Sequence, residues 1–193
     1  QRSLYVFDLV CAIVRQWNWL YIDELYWNRP GFPGGHKRRF KNEIEPIYHF
    51  SLTDDFTFNP TGVLVEFSEK STFKTNTHKS YSGSGFTGGN FHDGVSGLAR
   101  PGNLIKVANT ATATQTGAYQ AAVFPLPLPT FFIRAYSDPS DLWLDPFAGS
   151  GTTGIAAHNE GRRAAMIEQL PKYCSVILER FQQHTGLKPV LTE

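Results

Sequence analysis

Cysteine and methionine are scarce in these 193 residues, with two of the first and one of the second. Cys11 and Cys174 lie far apart, with no Cys-x-x-Cys and no cysteine/histidine cluster. That argues against structural zinc and for a reducing compartment. No run approaches the roughly 20 apolar residues of a membrane span, and no charged-then-apolar leader precedes a cleavage site. The expectation is a cytoplasmic protein with no membrane partner. Excess charge is also missing: 18 basic against 17 acidic residues leave a net +1, so any nucleic-acid contact must come from local patches. His36, His49, His78, His92, His158 and His184 are scattered, and neither a metal-spaced histidine pair, a Ser/His/Asp arrangement nor a paired-carboxylate helix supports a hydrolase. Two glycine signatures are absent as well. Neither the Gly-x-Gly-x-x-Gly of dinucleotide sites nor the Gly-Lys-Thr of phosphate loops occurs, which leaves an NTP without its lysine.

What is present centres on Leu142-Trp143-Leu144-Asp145-Pro146-Phe147-Ala148-Gly149-Ser150-Gly151-Thr152-Thr153. The apolar run Leu142 to Leu144 suits a strand covered on both faces and stops at Asp145-Pro146. Gly149 and Gly151 permit a sharp turn and close approach of a ligand, and Ser150 or Thr152 is placed to cap the next helix. That helix, residues 152–159, is alanine-rich and closes on Gly161. A second strand, residues 163–168, ends in Glu168 about 20 residues beyond the glycines. In a βαβ unit this spacing sets an acid beside the glycine turn, where it can accept hydrogen bonds from ribose hydroxyls.

The string Asp145 to Thr153, together with Glu168-Gln169-Leu170-Pro171-Lys172-Tyr173-Cys174, resembles the amino-group DNA methyltransferases, adenine-N6 or cytosine-N4, in their permuted order. The resemblance implies an α/β, Rossmann-like, three-layer α/β/α fold with a mostly parallel sheet, binding S-adenosyl-L-methionine near the C-terminus. The cofactor residues it implies are Asp145, Phe147, Gly149, Ser150, Gly151, Thr152 and Glu168. Phe124-Pro125 match the family's His-Pro-Ala-x-Phe-Pro, lining the methionine side, although Gln120-Ala121 replace its His-Pro.

Earlier in the chain, Ser3-Leu4-Tyr5-Val6-Phe7 reads as a central strand that begins with no turn before it, which suggests an upstream portion. Residues 9–17 have helical spacing, and residues 19–27 run aromatic and apolar as a strand. Trp27-Asn28-Arg29-Pro30 resembles the family's strand end at the DNA cleft, while Trp27 suits the core equally well. The loop carrying His36, Lys37, Arg38, Arg39 and Lys41 is either a solvated face or a phosphate contact. Residues 43–51 resemble the family's next strand, at Glu45, Ile47 and Phe50-Ser51. Residues 59–117 read as an irregular target-recognition insertion, in which Lys70, Phe73, Lys74, Lys79, Tyr81, Phe86, Phe91 and Arg100 interleave charge with rings. Residues 100–107 return to strand-like order. A helix over 130–136 and another over 171–184, with Tyr173, Val176, Ile177, Arg180 and Phe181 as its core stripe, complete the chain.

Residues 1–58 and 118–193 are thus expected to form the methyltransferase domain around that insertion. Trp27, Arg29, Lys37, Arg38, Arg39 and Arg100 are the DNA candidates. The family's catalytic Asp/Asn/Ser-Pro-Pro-aromatic tetrapeptide is absent, since no Pro-Pro pair occurs. No catalytic residue is therefore assigned, and no metal is required. The expectation is the C-terminal portion of a DNA methyltransferase, with the missing motif in an upstream segment or a second chain. The alternatives are a catalytically incomplete DNA-binding subunit and an RNA methyltransferase.

Overall fold

In the computed structural model, the structure describes residues 3–29, 37–38, 40–66, 98–107 and 123–192. Its first element corrects the sequence expectation. Tyr5–Arg15 is a helix, α1, and residues 3–7 are not a strand. Val6, Val10, Ala12, Ile13 and Val14 are its half-buried residues, and Val6, Val10, Ile13 and Val14 recur at helical spacing. Asp8 in the first turn and Arg15 in the last complement the helix dipole. No breaker separates Phe7 from Leu9, so the helix extends back through the short β-prone run that suggested a strand.

Strand β1, Leu20–Asn28, buries alternate residues, with Leu25 and Trp27 5% and 4% exposed. It pairs antiparallel with β2, Ile44–Ser51, in the register Tyr26↔Pro46 and Trp27↔Glu45. A 3-10 turn over Pro60–Val63 precedes β3, Val65–Glu66, which pairs with β4, Leu98–Ala99. Strand β5, Leu104–Lys106, then runs parallel to β1 with Trp27 opposite Ile105. This return of the chain into the core sheet agrees with the strand-like reading of residues 100–107. Leu25, Trp27, Ile105 and Leu128 form one apolar cluster, with Phe124, Phe131 and Phe132 packed against it.

Helix α2, Pro127–Tyr136, begins earlier than the predicted 130–136 because prolines at its start leave no unsatisfied amide there. One side of α2 joins the cluster just described through Leu128. Its Ile133 joins a second, with Ala156, Ala157, Leu126 and Trp143. It therefore packs on both halves of the structure. Strands β6, Leu142–Asp145, and β7, Arg163–Met166, pair in parallel, with Leu142 opposite Arg163 and Asp145 opposite Met166. Between them runs α3, Thr152–Asn159, buried from Thr152 to Ala157 as its alanines allow. Ser137 clasps this unit: its hydroxyl accepts from the Trp143 indole at 2.9 Å and its carbonyl from Arg162 Nη2 at 2.6 Å. Helix α4, Pro171–Thr185, ends on Gly186 in the left-handed conformation.

Two local expectations fail. Leu142 and Leu144 are 58% and 63% exposed, so among the described residues β6 is covered on one face only. Neither Ser150 nor Thr152 caps α3. Gly151, at φ +79°, occupies the cap position with no side-chain hydrogen bond, because the loop reaches the helix through a left-handed residue. Parallel pairing holds for β6–β7 and β1–β5, while β1–β2 and β3–β4 are antiparallel.

Candidate functional site

The site forms where β6 ends. Asp145 accepts twice: its Oδ1 from the Phe147 amide at 3.0 Å and its carbonyl from Ile167 at 2.9 Å. The first bond folds the chain back on itself as an aspartate turn does, and the second registers β7 beside it. Gly149 at φ +54° and Gly151 at φ +79° then reverse the backbone, with Gly151 N–H donating to the Ala148 carbonyl at 2.8 Å. A side chain at Gly151 would stand 3.0 Å from the Ile177 methyl of α4.

Glu168 closes the arrangement. Its Oε2 accepts from Gly149 N–H and its Oε1 from Leu170 N–H, both at 2.9 Å. One carboxylate thus ties the glycine turn to the start of α4, and each oxygen keeps a lone pair for a further donor. From α4, Arg180 Nη1 donates to the Ser150 carbonyl. Burial pushes the Arg180 pKa below its ordinary value.

A small cleft of about 50 Å³ lies over this loop, lined by Val123, Phe124, Phe147, Ala148, Gly149, Ser150 and Thr152. It unites Phe124 with the glycine turn, two segments that sequence spacing alone does not connect. The Thr152 hydroxyl is buried at this cleft with no hydrogen-bond partner, and Phe147 is 88% exposed beside it. An orphaned hydroxyl, an exposed ring and a carboxylate with free lone pairs fit a ligand with an aromatic base and sugar hydroxyls. Pro125 lies deeper: it is buried, and its carbonyl accepts from Leu128 N–H at 3.0 Å to start α2. A larger apolar cavity of about 520 Å³ lies elsewhere, against Met166, Ile177 and Phe181. Among the described residues no group of three or more His, Cys, Asp or Glu is disposed to hold a metal ion.

The residues considered for DNA fall in several places. Trp27 is core, and its indole donates to the Val107 carbonyl at 3.1 Å. Arg29 lies at the carboxyl end of β1, bonded to Glu45 at 2.5 Å and 5.3 Å from the Trp27 ring. Lys37 and Arg38 are exposed in a turn, and Arg39 lies outside the described residues. Arg100 stands over the Phe58 ring at 5.9 Å. Lys70, Phe73, Lys74, Lys79, Tyr81, Phe86 and Phe91 also lie outside the described residues, as do Gln120 and Ala121. Two residues gain significance only here. Lys106 pairs with Asn28 in register beside Arg29, and Arg180 touches the glycine loop although its place in a helical stripe suggested core packing.

The fold is Rossmann-like α/β, of the kind found in S-adenosylmethionine-dependent methyltransferases. The solved PvuII DNA methyltransferase (cytosine-N4-specific) superposes with a TM-score of 0.69 at 24% identity, covering 93% of this chain and 57% of that one. The M1.HpyAVI–SAM complex superposes with 0.60 at 20% identity, covering 93% and 71%. In sequence, the DNA methylase family profile (N6_N4_Mtase) matches residues 3–179, and the chain belongs to that family. The type II methyltransferase M.PvuII of Proteus hauseri is 28% identical over 215 residues, which include all of this chain and 63% of that protein. The chain thus spans under two thirds of that relative's length.

Proposed function

We propose that the chain is the C-terminal, cofactor-binding portion of a DNA methyltransferase that moves a methyl group from S-adenosyl-L-methionine to an exocyclic amine, adenine N6 or cytosine N4. The observation that carries this reading is the Glu168 carboxylate, held beside the glycine turn by Gly149 N–H and Leu170 N–H at 2.9 Å with a lone pair on each oxygen left for a further donor. Family membership and the superposition on a SAM complex support it. When bound, the cofactor supplies an electrophilic sulfonium methyl. The chain's own residues do the holding: Glu168 accepts the ribose hydroxyls, Gly149 to Gly151 let the ligand lie against backbone, and Thr152 offers its unpartnered hydroxyl. Asp145 shapes the turn through its own carboxylate, Ser150 contributes backbone, and Phe124 and Phe147 form the apolar wall, with Pro125 buried at the start of α2.

DNA is the proposed substrate, contacted by Arg29, Lys37, Arg38, Arg39 and Arg100, with Trp27 bracing the strand that carries Arg29. Residues 59–117, apart from the stretch 104–106 that joins the core sheet as β5, would supply target recognition between the flanking parts of the domain. Base capture and orientation of the amine need a Pro-Pro-aromatic tetrapeptide, which on this reading comes from an upstream segment or a second chain. The absence of that motif here also supports a second reading, a methyltransferase-like subunit that binds DNA without catalysis. On either reading the protein works in the cytoplasm, and among the described residues no helix is long and apolar enough to cross a membrane.

Titration calorimetry with S-adenosylhomocysteine tests the cofactor site. Glu168→Ala is expected to weaken binding by about 1.5 to 3 kcal/mol, the scale of charge-assisted hydrogen bonds. Unchanged affinity would remove Glu168 from the site, and a parent chain that binds nothing would sink the cofactor reading.

A further inference from the structure

The glycine loop is touched by an arginine that sequence periodicity assigns to the core. A half-buried cation is costly without a counter-ion, and a purely structural stripe position is better served by leucine or methionine. Arg180 is half-buried, no acid among the described residues pairs with it, and Nη1 reaches the Ser150 carbonyl. That carbonyl belongs to the same planar peptide as Gly151 N–H, which donates to the Ala148 carbonyl at 2.8 Å. Both ends of one peptide plane are therefore held, one by the turn and the other by α4. Ile177, on the same face of α4 as Arg180, fills the space above Gly151. With the plane fixed, Gly149 and Gly151 keep their positive φ values of 54° and 79°, and Gly149 N–H stays on Glu168.

We propose that Arg180 is a positioning residue for the cofactor loop: by holding the Ser150 carbonyl it prevents rotation of the Ser150–Gly151 peptide and keeps the cleft in its binding shape. The inference deepens the cofactor reading above and rests on it. Rotation of that plane would break the Ala148–Gly151 turn bond and release the left-handed geometry on which the cleft is built. Arg180 itself does not line the cleft, so its effect passes through the loop.

The test uses the full chain with Arg180→Met, which keeps the apolar stem, and Arg180→Lys, which keeps the charge. Two measurements are made: amide hydrogen exchange by NMR, and S-adenosylhomocysteine affinity by calorimetry. In Arg180→Met, protection of Gly151 N–H falls by about tenfold while amides of α3 and α4 keep theirs. Affinity falls by about tenfold, the size of one lost charged hydrogen bond. Arg180→Lys, which can still donate to the carbonyl, restores both to within about threefold. Uniform loss of protection across α3 and α4 would make Arg180 merely structural and overturn the proposal. So would loss of affinity with Gly151 protection intact, since that marks direct ligand contact, or unchanged values in both measurements. Should Arg180→Met not fold, the comparison of Arg180→Lys with Arg180→Gln decides on the same readouts. If the unsubstituted chain binds no S-adenosylhomocysteine, the cofactor reading fails, and Gly151 protection alone then upholds or overturns the role of Arg180 in the loop.

Discussion

At the scale of single residues, the site depends on backbone conformations that side chains do not easily adopt. Gly151 combines φ +79° with an Ile177 methyl 3.0 Å from where a Cβ would sit. Gly151→Ala is expected to destabilise the chain by about 1 to 3 kcal/mol, from left-handed strain plus overpacking. Urea unfolding measures it, and a shift below about 0.5 kcal/mol, the scale of a neutral surface change, would mean that the loop relaxes freely. The glycine turn and the acid beside it were legible in the sequence because each residue type suits one local task, whereas Phe124 came only with the family likeness. The contact of Arg180 with the Ser150 carbonyl was not legible, because periodicity reports which face a residue occupies and not which carbonyl lies opposite.

At the scale of elements, α2 and α3 are joined by a two-point ion pair. Arg134 Nε and Nη2 donate to the two Glu160 carboxylate oxygens at 2.9 and 2.8 Å. The bond from Arg134 holds the Glu160 carboxyl below its ordinary pKa. A depressed acid contributes stability above its unfolded pKa, and that contribution is lost as pH falls through the folded value. Arg134→Ala should therefore cost at most about 1 kcal/mol at neutral pH, because Arg134 is half exposed and screened. The difference from the parent should vanish once pH falls below the folded pKa of Glu160. Unfolding curves at several pH values check this, and a difference independent of pH would assign the effect to packing. The exposed turn at Lys37 and Arg38 yields a second element-scale prediction. Replacing Lys37, Arg38 and Arg39 by alanine should flatten the salt dependence of duplex binding by up to about three counterions, at a slope near 0.9 each. Fluorescence anisotropy at several salt concentrations reads it; an unchanged slope would make the turn a solvated face. Helix α1 shows where local reading stops: a five-residue β-prone run cannot be told from the first turn of a helix unless the residues after it are weighed.

At the scale of the whole molecule, the chain is expected to bind cofactor and transfer no methyl group to DNA when incubated alone. Orienting the amine is most of what such an enzyme supplies, and these residues hold no Pro-Pro-aromatic tetrapeptide to do it. Incubation with labelled S-adenosylmethionine and mixed-sequence DNA, with and without an upstream or partner polypeptide, decides the point. Robust labelling by the chain alone would mean that Asp145-Pro146-Phe147 has the wrong role here. The sequence by itself determined the strand, glycine turn, helix and acid of the site, because short-range sterics and residue chemistry act within a few positions of the chain. It also revealed the family likeness. Only the tertiary structure decided that residues 104–106 rejoin the sheet beside β1, that Trp27 is buried, that Phe124 lines the cleft over Gly149, and that Arg180 holds the Ser150 carbonyl. Each of these depends on residues distant along the chain, and their meeting is set by packing of α2 against β1 and β5 and of α4 against the glycine loop and α3, which no local pattern encodes.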